Sequence, residues 1–370
     1  MTQRVCHLTS VHSSYDTRIF HKMCRTLADA GFDVSLIVAN AESEVKNGVK
    51  IIGVPVNYSS RISRILSAPK AVYRRAKEID AEIYHLHDPE LIPYGLKLQK
   101  AGKKVIFDSH EDVPADILDK AWVGPRFVRK IISRVYGAYE KGKVRELSGL
   151  ISVLDGITEG FKHPNGITIH NYPIVDSFSI EPKKLAPPLD EKFKLVYNGG
   201  LTRIRGIHYL VKSMHYLDDD YSLLLMGPWE SDQYEEECKS TPGWEKVNYL
   251  GNVEITECFS ILKSCQLGLV MFLPLPNHIQ SLPNKSFEYV AAGIPMVMSD
   301  IPMWRGFFEN YAHFADPDQP EKIAASIAQV RERYSEEMMK IEIEGKRILS
   351  TYTWANEGIR LVNYYRKILA

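Results

Sequence analysis

The sequence predicts an α/β protein built from two doubly wound domains of the Rossmann type. Short apolar runs typical of parallel strands alternate with helical patterns, and this alternation occurs twice along the chain. At 370 residues the chain is longer than one hydrophobic core usually supports, which favours two domains of similar size. Residues 176–192 contain three prolines and few periodic apolar positions, so they are interpreted as a linker.

The first domain is predicted to occupy residues 1–175. A helix is expected at residues 17–30, where apolar positions recur at helical spacing and Gly31 follows as a stop signal. The segments expected to form strands are 5–11, 34–39, 50–56, 82–86, 104–108 and 150–154.

The second domain is predicted at residues 193–350. Its expected strands are 193–197, 222–226, 247–250, 267–273, 296–299 and 312–315. Residues 351–370 are amphipathic and rich in aromatic side chains, and they do not continue the strand and helix alternation. We expect this C-terminal segment to be a helix that crosses back and packs toward the N-terminal domain.

The charge balance excludes a strongly basic, nucleic-acid-binding protein. Lysine and arginine number 46, as do aspartate and glutamate, but residues 1–175 carry 25 basic and 19 acidic side chains. The basic excess lies at helical spacing in residues 61–77 and 126–145. Such helices bind anionic membranes, although an ordinary amphipathic helix that covers a sheet has the same pattern.

Cysteine spacing and the N-terminal residues indicate a cytoplasmic protein. The five cysteines form no CxxC pair, so neither a zinc site nor a disulfide framework is predicted. The chain begins with a strand pattern rather than the apolar core of a signal peptide. Because no apolar run approaches the roughly 20 residues of a membrane span, we expect any membrane contact to be peripheral, at the inner face.

The most informative segment, residues 282–295, predicts a helix that follows a buried strand. Pro283 marks the helix start and Gly293 its end, which places Glu288 one turn into the helix. Amides at a helix N-terminus favour phosphate, and a carboxylate one turn further can accept both hydrogen bonds of a ribose diol. The alternative is a solvated glutamate that only stabilises the helix dipole.

A glycine turn follows the first strand of the second domain. Gly199 and Gly200 lack side chains that would keep a ligand from the backbone, and Arg203 and Arg205 suit a diphosphate in geometry and charge. Neither domain carries the GxGxxG fingerprint of a dinucleotide fold, which argues against a dehydrogenase.

Residues 199–206 together with 283–295 resemble the donor site of the family 4 retaining glycosyltransferases, which have the two-domain GT-B architecture. The N-terminal segments 16–20, 85–90 and 108–111 resemble this family too. The resemblance implies two Rossmann-like domains that face each other across a cleft. It implies that the second domain binds a nucleoside diphosphate sugar, of the UDP or GDP type, and that the first binds the acceptor.

The resemblance also implies roles for individual donor-site residues. Glu288 would hold the ribose, and Gln280 replaces the first glutamate of the family's pair. Arg205 takes the place of a phosphate-binding lysine, whereas Gly200 stands where an arginine is common. The implied donor-binding set is Gly199, Gly200, Arg203, Arg205, Gln280, Asn284, Lys285 and Glu288, with Arg203 or Lys285 supplying the missing positive charge.

In the first domain the resemblance assigns a catalytic role to His87, next to the donor sugar and acceptor. Arg205 and Lys285 are assigned to catalysis because they would stabilise the leaving phosphate. The implied acceptor-binding residues are Asp16, Arg18, Asp88, His110 and Glu111. Family members of this architecture usually need no divalent metal, so neither a metal nor another cofactor is expected.

These features predict a retaining hexosyltransferase that acts on a glycan or lipid-linked glycan precursor in cell-envelope polysaccharide synthesis. Two alternatives remain open. A sugar-nucleotide 2-epimerase shares the architecture and would use carboxylates from among Asp88, Asp108, Glu111 and Asp112. A non-catalytic nucleotide-sugar-binding subunit is favoured by the departures at Gln280 and Gly200.

Overall fold

The computed structural model describes residues 2–110, 113–119, 124–174, 192–279 and 281–370. The chain divides into two compact units: unit 1 contains the residues up to Asn171 together with Trp354–Ala370, and unit 2 is Tyr172–Thr353. Each unit has its own largely parallel sheet, so the predicted α/β class with two Rossmann-like domains is confirmed. The predicted linker 176–192 falls outside the described residues except for Lys192.

The sheet of unit 1 has eight strands in the order β3-β4-β2-β1-β5-β6-β7-β8. In chain order they are β1 Arg4–Thr9, β2 Asp33–Ala39, β3 Glu44–Lys46, β4 Val49–Val54, β5 Ile83–Leu86, β6 Lys104–Ser109, β7 Gly149–Ser152 and β8 Gly166–Thr168. All pairs are parallel except β3 with β4. The sequence did not predict β3 and β8, because these three-residue edge strands carry no apolar run.

The helices of unit 1 connect these strands in chain order. They are α1, which has π-helical turns over Thr17–Cys24 and continues over Arg25–Asp29, α2 Arg61–Ile79, α3 Ile92–Lys100, α4 Val113–Asp119, α5 Arg126–Val144 and α6 Asp155–Phe161. Asp16 caps α1, since its Oδ1 accepts hydrogen bonds from the amides of Arg18 and Ile19 at 2.8 and 2.9 Å.

The sheet of unit 2 is entirely parallel, in the order β11-β10-β9-β12-β13-β14. Its strands are β9 Phe193–Asn198, β10 Tyr221–Met226, β11 Val247–Tyr249, β12 Leu267–Val270, β13 Met296–Ser299 and β14 Ala312–Ala315. Its helices are α7 Ile207–Ser213, α8 Asp232–Lys239, α9 Ile255–Ser264, α10 Pro276–Ile279, α11 Asn284–Ala292, α12 Pro302–Phe308, α13 Pro320–Glu332 and α14 Tyr334–Thr351.

The last helix, α15 Trp354–Leu369, belongs to unit 1. Its aromatic face supplies the contacts that hold it there. The indole Nε1 of Trp354 donates to Thr26 Oγ1 at 2.8 Å, and the hydroxyl of Tyr364 donates to the Asn165 carbonyl at 2.5 Å. The amphipathic pattern of the C-terminal segment therefore reflects burial against the first unit.

Both sheets have a switch point at which the chain reverses its direction of strand addition. In unit 1 it lies between β1 and β5, and in unit 2 between β9 and β12. Open α/β sheets bind ligands outside the carboxyl ends of the strands at such points. The site residues expected from the sequence follow β1, β5 and β6 in unit 1 and β9 and β12 in unit 2.

The packing of α11 on β12 sets the position of this helix in unit 2. The buried hydroxyl of Tyr289 donates to the carbonyls of Val196 and Leu269, at 3.3 Å each. A Cβ atom on Gly268 would lie only 2.3 Å from the Tyr289 ring, so glycine makes room for this contact. No helix among the described residues has the length and apolarity needed to cross a membrane.

Candidate functional site

The turn after β9 brings the backbone close to the switch point of unit 2. Gly199 has a φ of +115°, and its amide donates to the Met226 carbonyl at 2.8 Å. Gly206, which ends the turn, has a φ of +69°, and a Cβ atom there would lie 2.0 Å from the Met271 carbonyl oxygen. Only glycine satisfies both the backbone angle and this close approach.

Two cationic side chains converge over this glycine turn. A Cβ atom on Gly199 would lie 3.3 Å from Nζ of Lys285 and 3.5 Å from Nη1 of Arg205. Lys285 is only 7% exposed, and its Nζ lies 3.7 Å from the centroid of the Tyr197 ring and 4.8 Å from that of Phe272. The aromatic faces favour a cation at this position, which lies on the first turn of α11.

The ammonium of Lys285 has no hydrogen-bond partner among the described residues. Burial lowers its pKa well below the usual value, and the positive charge of Arg205 lowers it further. Glu288 acts in the opposite direction without offsetting these two effects. Burying an ammonium group without a partner destabilises the folded state, so this position favours the binding of an anion.

Glu288 lies one turn further along α11 and is held by a residue of β9. Nδ2 of Asn198 donates to Oε2 of Glu288 at 2.6 Å, which orients the carboxylate and leaves Oε1 for a ligand. Burial and the charge of Glu288 raise the pKa of the nearby Cys258 thiol to about 12, so this thiol stays neutral. Further buried polar atoms without a described partner are Asn198 Oδ1, Thr202 Oγ1 and Ser286 Oγ.

In unit 1, Asp88 joins the carboxyl ends of β1 and β5. Its Oδ2 accepts hydrogen bonds from Thr9 Oγ1 at 3.0 Å and from the amide and hydroxyl of Ser10 at 2.5 and 3.1 Å. Its Oδ1 lies 3.3 Å from Nε2 of His12. Asp88 is almost fully buried, so the half-buried His12 is the member of this group that reaches the surface.

His12 also interacts with the carboxylate that caps α1. Nδ1 of His12 lies 3.7 Å from Oδ2 of Asp16, and the interaction with this carboxylate raises the pKa of His12. Burial would raise the pKa of Asp16, but the interaction with His12 and the hydrogen bond from the Ile19 amide outweigh it and lower that pKa. This arrangement therefore favours the protonated form of His12 beside the carboxylate of Asp16.

A network of histidines extends from this edge into the core of unit 1. His87 is buried, with Nδ1 3.2 Å from His110 Nε2 and Nε2 2.8 Å from His7 Nδ1. Burial lowers the pKa of His87 to about 4, so its imidazole is neutral near pH 7. His110 is half-buried and lies between His87 and the surface, with Nε2 2.9 Å from Asp108 Oδ2.

Arg18 and Asp108 form a buried ion pair beneath this network. The guanidinium donates from Nε and Nη2 to the two carboxylate oxygens at 3.0 and 2.9 Å. Potential metal-ligand atoms lie within 4.8 Å of one another in two groups, His7 with His85 and His87, and His87 with Asp108 and His110. Because Arg18 already occupies both oxygens of Asp108 and the rings bond one another, we interpret these residues as a hydrogen-bond network.

Two protein-family models match the chain, and together they include most of both units. The model for glycosyl transferases group 1 matches residues 179–347, and the model for Glycosyltransferase Family 4 matches residues 17–157. The chain belongs to the family 4 type of GT-B glycosyltransferases. The sequence-based resemblance is thereby confirmed.

Solved structures with the same fold match this glycosyltransferase over its whole length. Sucrose-phosphate synthase from Thermosynechococcus elongatus has a TM-score of 0.75 at 15% identity, covering 99% of each chain. Anabaena HepE in complex with UDP and glucose has a TM-score of 0.73 at 12% identity, covering 99% of this chain and 100% of the other. An alpha,alpha-trehalose-phosphate synthase (UDP-forming) from Burkholderia vietnamiensis has a TM-score of 0.72 at 12% identity, again covering 99% and 100%.

At such low identity these structures establish the fold, and they confirm the predicted GT-B class. No curated protein is significantly similar to the glycosyltransferase in sequence.

The predicted donor residues of the glycosyltransferase separate into two groups. Those that lie together around the glycine turn and α11 are Gly199, Gly200, Arg205, Asn284, Lys285 and Glu288. Arg203 is placed differently, because its guanidinium forms a two-pronged ion pair with Glu237 and its amide donates to Glu230 at 2.8 Å. Lys285 is therefore the second cation at the turn, beside Arg205. Gln280 lies outside the described residues.

The predicted acceptor residues also take different positions. Asp16, Asp88 and His110 lie at the carboxyl edge of the unit 1 sheet, and His12 links the first two. Arg18 is buried in its ion pair with Asp108, which gives it a positioning role within the fold. Glu111 lies outside the described residues.

Three residues around these sites were not predicted from the sequence. Asn198 ends β9 next to the glycine turn, and this position at a strand end is the sequence feature that could have identified it as a site residue. His12 stands four residues before Asp16. Nδ1 of His278 donates to the Leu273 carbonyl at 2.8 Å, and the pKa of His278 is lowered by burial and by the nearby basic residues Arg205 and Lys285. No local pattern in the sequence distinguishes His278.

Proposed function

We propose that this glycosyltransferase moves a sugar, with retention of configuration, from a nucleoside diphosphate sugar to a hydroxyl group of a glycan or lipid-linked glycan precursor. The observation that carries the proposal is the buried, unpartnered ammonium of Lys285 beside Arg205 over the glycine turn. Two basic side chains, one on the glycine turn and one on the first turn of α11, match the two charges of a diphosphate. Glu288, one turn away, matches a ribose diol.

The same groups account for the chemistry that the enzyme has to supply. In a retaining transfer from one face, the bond between the anomeric carbon and the diphosphate oxygen breaks, and the acceptor oxygen bonds to the anomeric carbon on the same face. The leaving phosphate accepts the proton of the acceptor hydroxyl. Arg205, Lys285 and the first amides of α11 stabilise the charge that develops on this phosphate, which is the main catalytic contribution. No separate carboxylate nucleophile is required in this scheme.

We place the acceptor at the edge of unit 1 formed by His12, Asp16 and His110. These side chains combine two imidazoles with a carboxylate near the surface, a set of hydrogen-bond donors and acceptors that suits a polyhydroxylated ligand. His87 lies beneath His110, so we propose that it acts through the orientation of His110. The epimerase alternative needs free carboxylates, whereas Asp88 and Asp108 are both buried and hydrogen-bonded. Its other two candidates, Glu111 and Asp112, lie outside the described residues.

The donor is tested by thermal shift and titration calorimetry with uridine, guanosine, adenosine and thymidine diphosphates and their sugars. We propose a uridine diphosphate sugar as the donor, supported by the solved structures of the same fold that contain UDP or are UDP-forming. Stabilisation by one base alone identifies the donor, and the anomeric configuration of the product, followed by NMR, tests retention. Failure of all four diphosphates to bind would refute the donor site.

Glu288→Ala is expected to weaken binding of the nucleotide sugar about 10- to 100-fold, because a charged hydrogen bond to the ribose is lost. Asn198→Ala is expected to give a smaller loss, about threefold to tenfold, since Glu288 remains but is no longer oriented. Calorimetric titration with the matching diphosphate measures both. Equal affinities of Glu288→Ala and the native enzyme would show that Glu288 does not contact the ligand.

We further propose that the enzyme acts in cell-envelope polysaccharide synthesis at the inner face of the cell membrane. The net charge of residues 1–175, with 25 basic and 19 acidic side chains, supports this placement. The test is transfer from the identified donor to a membrane extract compared with soluble oligosaccharides. Transfer to soluble glycans alone would contradict a lipid-linked acceptor.

A further inference from the structure

We propose that one face of α5 docks unit 1 onto an anionic lipid membrane. We call this surface the α5 ridge and define it by Arg126, Phe127, Lys130, Ile131, Arg134 and Val135. The inference extends the proposed function, because a lipid-linked acceptor has to be reached at a membrane surface. It rests on the exposure and charge of these six side chains.

The α5 ridge exposes large apolar side chains in a row. Phe127, Ile131 and Val135 stand four residues apart, and they are 67, 58 and 65% exposed. Residues at this spacing lie one above the other on the same helix face. Scattered apolar side chains are ordinary on a protein surface, but a contiguous row of this kind marks a binding surface.

The cations of the α5 ridge form a second row beside the apolar one. Arg126, Lys130 and Arg134 precede the three apolar residues by one position each, and all are exposed. None of them forms an ion pair with another described residue of the protein. The only acid within α5 is Glu140, which is buried. The exposed face therefore presents uncompensated positive charge.

The opposite face of α5 attaches the helix to unit 1. Ser133 and Gly137 are buried, the Ser133 hydroxyl donates to the Pro114 carbonyl at 2.7 Å, and a Cβ atom on Gly137 would lie 3.1 Å from the Pro114 ring. Burial on this small-residue face explains why the larger apolar residues remain outside. An amphipathic helix that only covered a sheet would have the reverse arrangement.

The other basic stretch of the sequence, residues 61–77 in α2, lacks a row of exposed apolar side chains. Among the described side chains of α2, the exposed apolar residues are Ile65 and Leu66 near the start of the helix. Leu66 lies one turn before Lys70, but Arg74 further along has no exposed apolar neighbour. The buried face of α2 includes Ala68, Val72 and Ala76 against the sheet. The structure therefore separates two stretches that look alike in sequence, and it assigns membrane contact to α5.

Charge complementarity favours a lipid membrane over another protein chain as the binding partner of the α5 ridge. Anionic membranes attract basic residues near the surface, and apolar side chains in the same row insert between headgroups and acyl chains. The cations of the α5 ridge match the anionic headgroups of one leaflet, and its apolar side chains match the acyl chains beneath them. A protein partner or a second copy would need a complementary acidic and apolar surface, which becomes an outcome of the test.

The test is flotation of the full chain with vesicles of phosphatidylcholine alone or with added phosphatidylglycerol. We expect binding only to the anionic vesicles, and weaker binding at high salt. Lys130→Gln/Arg134→Gln should weaken binding about 30-fold, and Phe127→Ser/Ile131→Ser should weaken it more than about tenfold. The matched control is Lys70→Gln/Arg74→Gln, with the same charge change at the same spacing on α2, and it should lose little.

Thermal unfolding and nucleotide binding of each variant show that the fold and donor site are intact. These readouts separate the docking proposal from the proposed transfer, because vesicle binding is measured without donor or acceptor. Equal losses in the α2 and α5 charge variants, or no binding by the native chain, would overturn the inference. Dissociation of an oligomer by the α5 variants, seen in sedimentation velocity, would assign the ridge to a second copy instead.

Discussion

Replacing Lys285 by methionine is expected to make the donor-free enzyme more stable and to weaken nucleotide binding strongly. The native ammonium is buried without a hydrogen-bond partner among the described residues, between two aromatic rings and close to Arg205. Methionine fills similar space without charge, so the free energy of unfolding should rise by about 1–3 kcal/mol. Loss of the contact to the diphosphate should weaken its binding about 100-fold.

Urea unfolding and calorimetric titration with the diphosphate measure these two effects on the same sample. Lys239→Met serves as the control, because Lys239 is exposed on α8 and pairs with Glu235 and Glu236. That variant should leave both quantities nearly unchanged. A Lys285→Met enzyme that is less stable than the native one, or that binds the diphosphate equally well, would show that Lys285 is not an anion-binding residue of the donor site.

The lowered pKa of Lys285 gives the stability difference a defined pH dependence. The folded, donor-free enzyme binds fewer protons at this site than the unfolded chain, whose lysine keeps a pKa near 10.5. Stability is therefore lost as pH falls from 10.5 through the lowered folded pKa, and it is regained as pH rises. The advantage of Lys285→Met over the native enzyme should shrink toward pH 10.5, as measured by urea unfolding across that range.

The location of the donor site could be predicted from the sequence, but the identity of its second basic residue could not. Gly199 and Glu288 were assigned from their places beside a strand end and a helix start, and both lie at the switch point of unit 2. The choice between Arg203 and Lys285 as the second cation could not be made from sequence. It depends on Glu237, which lies on α8 and binds Arg203 from 34 residues away.

In unit 1, the burial of the polar residues could not be predicted from the sequence. The family resemblance assigned roles to Arg18 and His87, but the sequence does not show how deep a side chain lies. Arg18 pairs with Asp108, which lies on β6 90 residues later in the chain, and this pairing keeps Arg18 buried. His87 is covered by His110, which comes from the next strand. Burial of polar groups is settled by contacts between distant segments.

Breaking the buried ion pair of unit 1 is expected to have the largest effect on stability. Arg18 bonds both oxygens of Asp108, and its Nη1 donates to the Ile169 carbonyl at 2.9 Å, so it ties α1 to β6 and to the segment after β8. Arg18→Met leaves the carboxylate of Asp108 buried without its main partner, which should lower the free energy of unfolding by about 3–5 kcal/mol.

The double variant Arg18→Met/Asp108→Leu tells an unpaired charge apart from lost packing. Removing both charges avoids the uncompensated carboxylate, so the double variant should be clearly more stable than Arg18→Met alone. Lys50→Met, which breaks the exposed pair with Asp33, should change stability little and serves as the control. If urea unfolding gave the double variant the same stability as Arg18→Met, the loss would come from packing and from the Ile169 contact. If it recovered most of the native value, charge burial would be the reason that Arg18 and Asp108 occur together.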